Sequence, residues 1–470
     1  MHRFLVSAAH RSSGKTTVSI GLAAALRARG LAVQPFKKGP DYIDPMWLGE
    51  AAGRPCYNLD PWVSGPDEIR ATFSRRSRAA QVCMVEANMG LHDGLALDGS
   101  NSNAALAAML GLPVVLVIDA RGMSRGIAPL LLGQQAFDPT IRIAGVILNR
   151  VGGKRHEAKL RAAIEHYTDI PVLGAIPNLP ELTIDERHLG LVPYNEAAEA
   201  HAHVARLAQA IAVHVDLDRL LALTAAGDEL PREARPAATA LRPPRARPRV
   251  RIGIARDAAF GFYYAEDLEA LAAAGADLVP FDTLHDAQLP AVDGLFIGGG
   301  FPEAVAPALE ANAALREALR REIENGLPVY AECGGLMYLT RSIRWHDRTH
   351  AMVGALPADT VMQARAVGRG YVEIEATADH PWLAPGAIVR AHEFHHSSLE
   401  NVAPDLRYAW HVRRGHGIDG RRDGLIHRNV LGAYCHLRSV LGIEWPAHFV
   451  GFVHRCRAAR CAAEPALACG

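Results

Sequence analysis

Apolar and polar positions follow two rhythms along the chain. Runs in which nearly every residue is apolar, at 4–8, 82–85, 114–118 and 143–148, predict strands covered on both faces, with 32–36 as a further strand. Between them, 17–29 and 103–110 have the spacing of helices. Strands without a polar face must be sandwiched between helices, so residues 1–224 predict a doubly wound, mostly parallel sheet. From 225 to 249 this pattern is lost, and Pro231, Pro236, Pro243, Pro244 and Pro248 alternate with arginines. Prolines at that density continue neither a helix nor a central strand, which predicts a linker. The rhythm then restarts with strands at 250–255, 295–297 and 328–331 and helices at 263–274 and 311–324. A second α/β domain is expected over 250–455, followed by a tail at 456–470. The β-rich texture of 352–410 predicts antiparallel strands added to that domain's sheet.

Composition narrows the function. The 470 residues include 50 basic and 50 acidic side chains, so no net field gathers nucleic acid or an anionic membrane surface. Seven cysteines, Cys56, Cys83, Cys333, Cys435, Cys456, Cys461 and Cys469, show no paired spacing, which argues for a reducing compartment. The apolar stretch near the N-terminus is too short for a signal-peptide core, and 112–118 is far short of a membrane span. A cytoplasmic protein is expected.

Ser12-Ser13-Gly14-Lys15-Thr16-Thr17 joins a predicted strand to a predicted helix, the setting of a phosphate-binding loop. Backbone N–H groups and the helix N-terminus would hold phosphates, Lys15 would add a point charge and Thr16 would meet Mg²⁺. The strict pattern asks for glycine at position 9, where this chain has Ala9. Ser13, Gly14, Lys15, Thr16 and Thr17 are candidate ATP contacts, with Asn149 at another strand end. After the second strand, Lys37-Lys38-Gly39-Pro40-Asp41-Tyr42-Ile43-Asp44-Pro45 concentrates both signs of charge. Asp41 and Asp44 are candidate catalytic carboxylates, and the lysines could steady phosphate charge. Glu86 ends a buried strand at the sheet edge where ligands gather, so Thr16, Glu86 and Asp41 are the candidate metal set. Asp119 has a similar position, though it could equally satisfy loop amides.

Residues 328–339 read as strand, sharp turn and helix, with Cys333 at the turn. That geometry exposes a nucleophile, and a helix N-terminus aimed at a thiol is expected to lower its pKa. The run Gly298-Gly299-Gly300 can turn backbone N–H groups toward an oxyanion, making Gly299, Gly300 and Gly334 the candidate hole. A base is also required, and His436 lies about a hundred residues downstream, a separation only the fold could close.

Together, residues 36–45, 298–303, 331–339 and 433–437 resemble the cobyrinic acid a,c-diamide synthase family over nearly the whole chain. The resemblance implies a dethiobiotin-synthetase-like ATP domain followed by a class I glutamine amidotransferase domain. It implies that Cys333 is the glutaminase nucleophile and that His436 raises its nucleophilicity. Family members of this branch lack the third acid of the triad, and Arg438 stands two residues after the histidine, where other class I glutaminases carry glutamate. Lys37, Lys38, Tyr42 and His92 are the candidate substrate contacts. Lys38 replaces a more usual valine and Ala87 a more usual glycine, which leaves the macrocycle open.

The reaction so implied is amidation of the a and c acetate groups of a cobyrinic-acid-like tetrapyrrole, using ATP, Mg²⁺ and L-glutamine. The same chemistry on sirohaem or on sirohydrochlorin, with or without nickel, is the alternative. A homodimer is the expected assembly, with neither nucleic acid nor membrane as partner. Two other classes stay open: a partition-type ATPase switch, which the first domain alone would permit, and a catalytically inactive scaffold. His392-Glu393-Phe394-His395-His396 also satisfies a zinc-protease pattern. That pattern needs a helix, whereas on the strand expected here positions four apart lie roughly 13 Å apart.

Overall fold

The computed structural model describes residues 1–184, 186–187, 190–197, 199–226 and 248–467. The chain divides into two compact units, residues 1–239 and 240–470.

Unit one is built on seven strands, β1 (His2–Ala8), β2 (Val33–Lys38), β3 (Tyr57–Leu59), β4 (Val82–Glu86), β5 (Val114–Asp119), β6 (Ile143–Val151) and β7 (Val172–Pro177). They form a parallel sheet in the order β3-β2-β4-β1-β5-β6-β7. The buried apolar runs thus become strands covered on both faces, as their lack of a polar side requires. Helix Lys15–Ala28 buries an unbroken stretch from Val18 to Leu26, rich in small residues that allow close packing. Helix Asn103–Leu110 starts where the Ser102 hydroxyl accepts the Ala105 N–H and stops at left-handed Gly111. The chain leaves β1 for β2 and β4 on one side and later crosses to β5 on the other. The loops after β1, β2 and β4 therefore share the carboxyl edge beside the switch point.

Unit two centres on a nine-stranded sheet whose first five strands are parallel: Ala276–Phe281, Val250–Ala255, Gly294–Ile297, Val329–Glu332 and Val430–Ala433. Arg422–His427, Arg407–Arg414, Gly368–Ala376 and Ile388–His395 extend it antiparallel, so the expectation for 352–410 holds for part of that stretch, while Asp359–Met362 and Ser397–Glu400 pair in a separate four-stranded sheet. Alternation along each strand divides the core. Leu295, Ile297, Val329 and Ala331 pack on one face with Leu315, Leu319 and Ile323 of helix Ala313–Glu324. Phe296 and Tyr330 pack on the other with Trp445 and Phe449.

Three expectations meet detail here. The helix expected at 311–324 is found at Ala313–Glu324, capped by the Asn312 side chain and preceded by a separate short helix, Ala306–Ala311. Of the linker expected at 225–249, residues 227–247 lie outside the described residues. Its ends are tied within their own units: Ala225 bridges to His2, and Arg249 pairs with Asp277 at 2.6 Å. A continuous helix, Trp445–Leu467, runs across the boundary expected between 455 and 456.

Two candidate active sites

At the edge of unit one, sheet register sets Lys37 beside Glu86 and Glu86 beside Val6, so the ends of β2 and β4 meet the loop leaving β1. Lys37 is 2% exposed, and its Nζ lies 3.0 Å from Glu86 Oε1, 2.5 Å from Asp44 Oδ2 and 3.6 Å from Asp41 Oδ2. Thr16 donates to Glu86 Oε1 at 2.7 Å and to Asp44 Oδ2 at 3.3 Å, while Lys15 Nζ stands 3.7 Å from Glu86. Two cations, three carboxylates and a hydroxyl thus converge. Burial lowers the Lys15 pKa, aided by repulsion from Lys37 and opposed by the carboxylates. Burial also works against the charge of Lys37, but Asp44, Glu86 and Asp41 outweigh it and hold this ammonium well above its ordinary value. Burial likewise opposes ionisation of Asp44, yet its bond to Lys37 keeps the carboxyl low. Asp41 is pushed up to about 7 by burial and by Asp44. The pair therefore splits into a firm carboxylate and a readily protonated neighbour.

The phosphate loop is braced from within. Ser13 donates to the His10 carbonyl, and Asn149 donates to the Ser13 carbonyl at 2.9 Å, so Asn149 acts on the loop backbone. Gly14 sits at φ +81, and a Cβ there would lie 2.1 Å from Asn149 Nδ2. Position 14 must be glycine on both counts. Thr17 lies in the first turn of the helix that follows. Asp119 is gripped by Arg121 and Arg150, which hold its carboxyl at about 2 against its burial, and Arg150 also donates to the Ser12 carbonyl. Among the candidates for Mg²⁺, Glu86 Oε2 is buried with no hydrogen-bond partner. An orphaned carboxylate oxygen beside a phosphate-loop hydroxyl fits a hard divalent cation.

Lys38 Nζ donates to the Asn101 carbonyl at 2.7 Å and reaches Asn88 at 3.4 Å, and burial lowers its pKa to about 8. His92 lies within 3.2 Å of the Gln134 carbonyl, against the Phe137 ring. Tyr42 is buried at the start of helix Ile43–Ala52.

In unit two, Cys333 occupies the bend between strand Val329–Glu332 and helix Gly334–Leu339 at φ +47, ψ −101. A non-glycine residue held there marks the strained turn of a nucleophile elbow. Its N–H is anchored to the Ala433 carbonyl at 2.7 Å. The glycines converge on this bend: a Cβ on Gly334 would sit 2.9 Å from the Gly300 carbonyl, and one on Gly299 would sit 2.7 Å from His436 Cε1. Gly300 admits no side chain, since its Cβ would meet the Ala259 carbonyl at 1.9 Å. The fold thus closes the hundred-residue gap to His436 through the parallel pairing of Val329–Glu332 with Val430–Ala433. The expected drop in the Cys333 pKa is not found. Burial raises it, Glu303 adds to the rise, and the Gly334 N–H only partly offsets them. The helix that follows has just six residues and is too short to reverse this.

The sequence reading assigned no role to Glu332, the residue before the nucleophile. Its Oε2 lies 3.2 Å from His436 Nδ1, and its Oε1 accepts the Leu437 N–H at 2.9 Å and the Tyr330 hydroxyl at 2.6 Å. Arg438 instead pairs with Glu266 at 2.9 Å. The available signal was a carboxylate ending a buried strand, which had singled out Glu86. Asp423 was also missed; it accepts the N–H groups of Tyr434 and Cys435 and fixes the segment leading to His436. The zinc-protease pattern begins on strand Ile388–His395 and ends at His396, just beyond it and on no helix, with Glu393 taken by the His416 and Gly417 N–H groups.

Comparisons with known proteins follow this division. Residues 8–192 match the family described as the CobQ/CobB/MinD/ParA nucleotide binding domain, and 251–439 match the CobB/CobQ-like glutamine amidotransferase domain. A cobyrinate a,c-diamide synthase of Magnetococcus marinus is 45% identical over 96% of this chain and 97% of its own. Those of Methanosarcina acetivorans and Listeria monocytogenes serotype 4b are 41% and 38% identical, each over 97% of this chain and over 96% and 100% of their own. A solved glutamine amidotransferase aligns with 43% of this chain and 98% of its own at 16% identity, with a TM-score of 0.31.

Proposed function

Since this chain belongs to the cobyrinate a,c-diamide synthase family and is a glutamine-hydrolysing carbon–nitrogen ligase, we propose that it amidates the a and c acetate groups of cobyrinate using ATP and glutamine-derived ammonia. The observation that carries the reading is the bend at Cys333, where the glycine backbone and His436 meet a nucleophile, in a chain that also holds a phosphate loop. A nucleotide switch has no use for that bend.

In unit two the Cys333 thiol, kept protonated by burial, passes its proton to His436 as the sulfur attacks the glutamine amide carbon. The backbone around Gly299, Gly300 and Gly334 receives the oxyanion. The proton then goes to the departing nitrogen, ammonia leaves, and water cleaves the thioester to glutamate and free thiol. In unit one a carboxylate is a poor acyl donor because its oxygen leaves badly. The acetate oxygen attacks the γ-phosphorus of ATP, ADP departs, and ammonia displaces phosphate from the acyl phosphate. Lys15 and the backbone of the phosphate loop hold the phosphates, and Lys37 fixes Asp44 and Glu86 in place. Mg²⁺, when bound, would be held by Thr16 and Glu86 with Asp41 nearby, and it neutralises phosphate charge.

Incubation with ATP, Mg²⁺ and ¹⁵N-amide glutamine against cobyrinate, hydrogenobyrinate, sirohydrochlorin and sirohaem, read by mass spectrometry, tests this. Two labelled amides on cobyrinate are expected. Amidation confined to the sirohydrochlorin or sirohaem samples would overturn the acceptor. The Cys333→Ser variant should lose glutamine-dependent activity by more than about 10³-fold and keep activity with ammonium. Intact glutamine hydrolysis in that variant would overturn the amidotransferase site.

A further inference from the structure

Resting on the reading of Cys333 and His436 above, we infer that Glu332 is the positioning carboxylate of the glutaminase, completing a triad from the residue beside the nucleophile. The acid found two places after the histidine in other class I glutaminases is replaced by Arg438, whose guanidinium is bound to Glu266. Glu332 reaches the imidazole from the strand that carries Cys333, with Oε2 at 3.2 Å from Nδ1. Both residues are nearly buried, at 2% and 3% exposure, so this contact is not screened by water.

The hydrogen bonds fix the tautomer. Tyr330 and Leu437 donate to Oε1, which holds the carboxylate in one orientation from two directions. A carboxylate oxygen accepts, so the imidazole places its proton on Nδ1 and leaves the Nε2 lone pair to receive the thiol proton. His392 stacks on His436 at 4.8 Å and 14° and is held neutral by burial, so it adds no competing charge. Main-chain bonds between 392 and 436 hold the two backbones side by side. Because Glu332 and Cys333 are adjacent, a single strand end sets both the sulfur and the orientation of its base.

The test is Glu332→Gln in the full-length protein, assayed for glutaminase and, separately, for ammonium-dependent amidation. An amide keeps the shape but can present its NH₂ to Nδ1 and favour the wrong tautomer. The expected result is a fall in kcat of about 10²–10⁴-fold, with KM for glutamine within about threefold and ammonium-dependent amidation unchanged. Tyr330→Phe, which removes one donor to Oε1, should lower kcat by less than about tenfold. A Glu332→Gln kcat within about twofold of the parent overturns the inference. If that variant fails to fold, the parent protein decides. With ¹⁵N-histidine labelling, a downfield Nδ1–H signal that disappears in His436→Asn supports the assignment, and an Nε2–H tautomer overturns it. Loss of the Cys333 requirement would instead sink the amidotransferase reading, so the two failures are distinguishable.

Discussion

The two sites solve opposite electrostatic problems. Unit one collects opposed charges at a sheet edge and makes them hold one another, with Lys37 buried among three carboxylates. Unit two buries a neutral thiol at a bend where glycine backbone and the imidazole of His436, held by Glu332, converge. A site that receives a polyanion benefits from unspent positive charge and from a carboxylate oxygen left free to hold a divalent cation. A site that creates charge only during the reaction benefits from staying uncharged until then. The contrast teaches that Lys37 belongs to the framework of unit one, since its charge is already matched, while Lys15, with its lowered pKa, is the cation kept available.

The sharpest way to break this contrast is Lys37→Met. Removing the ammonium takes from the buried carboxylates of Asp44 and Glu86 their nearest cation, leaving only Lys15 and the Thr16 hydroxyl, and stability in urea should fall by about 3 kcal/mol. Adding Asp44→Asn should recover part of that loss. The near-isosteric Cys333→Ser should cost under about 1.5 kcal/mol in the same measurement. Equal losses for the two would remove the distinction between the sites.

A smaller effect sharpens the account of the phosphate loop. Gly14→Ala forces a side chain into the left-handed region and against Asn149, and should weaken ATP binding in calorimetry by about tenfold or more. Asn149→Ala in the same chain relieves the contact but loses the bond to the Ser13 carbonyl, so only part of the affinity should return.

The smallest effect concerns Asp41. Its carboxyl is pushed up to about 7, against roughly 3.9 when unfolded. Between those values the folded chain binds a proton that the unfolded chain does not. The contribution of Asp41 to stability therefore declines as pH rises through this window and levels off above it. Asp41→Asn should gain on the parent between pH 4 and 8 by about 1–2 kcal/mol, after allowance for partial exposure and for sharing with Asp44. Thermal melts across that range decide it, and a flat difference would assign the proton elsewhere. Cys333, held high by burial, stays a thiol throughout.

Much of this was legible in order along the chain. The phosphate loop is six contiguous residues whose strand and helix context is equally local, so residue types and spacing were enough to place it. Lys38 and His92 were harder. Each is a polar residue beside a recognisable motif, and only side-chain packing turned one toward the Asn101 carbonyl and the other toward Gln134. Glu332 stood in plain view next to the nucleophile. Its role depends on a partner 104 positions away and on a carboxylate rotamer set by Tyr330, and neither has a signature in one sequence.

The sequence by itself determined the alternation of buried strands and helices, the phosphate loop and the cysteine turn, because each is written in the periodicity and backbone demands of a short segment. Tertiary structure alone decided which charges are matched, which way the thiol pKa moves and which carboxylate serves His436. Those properties come from distance and desolvation between segments far apart in the chain, and both quantities exist only once the sheet has brought the strand ends together.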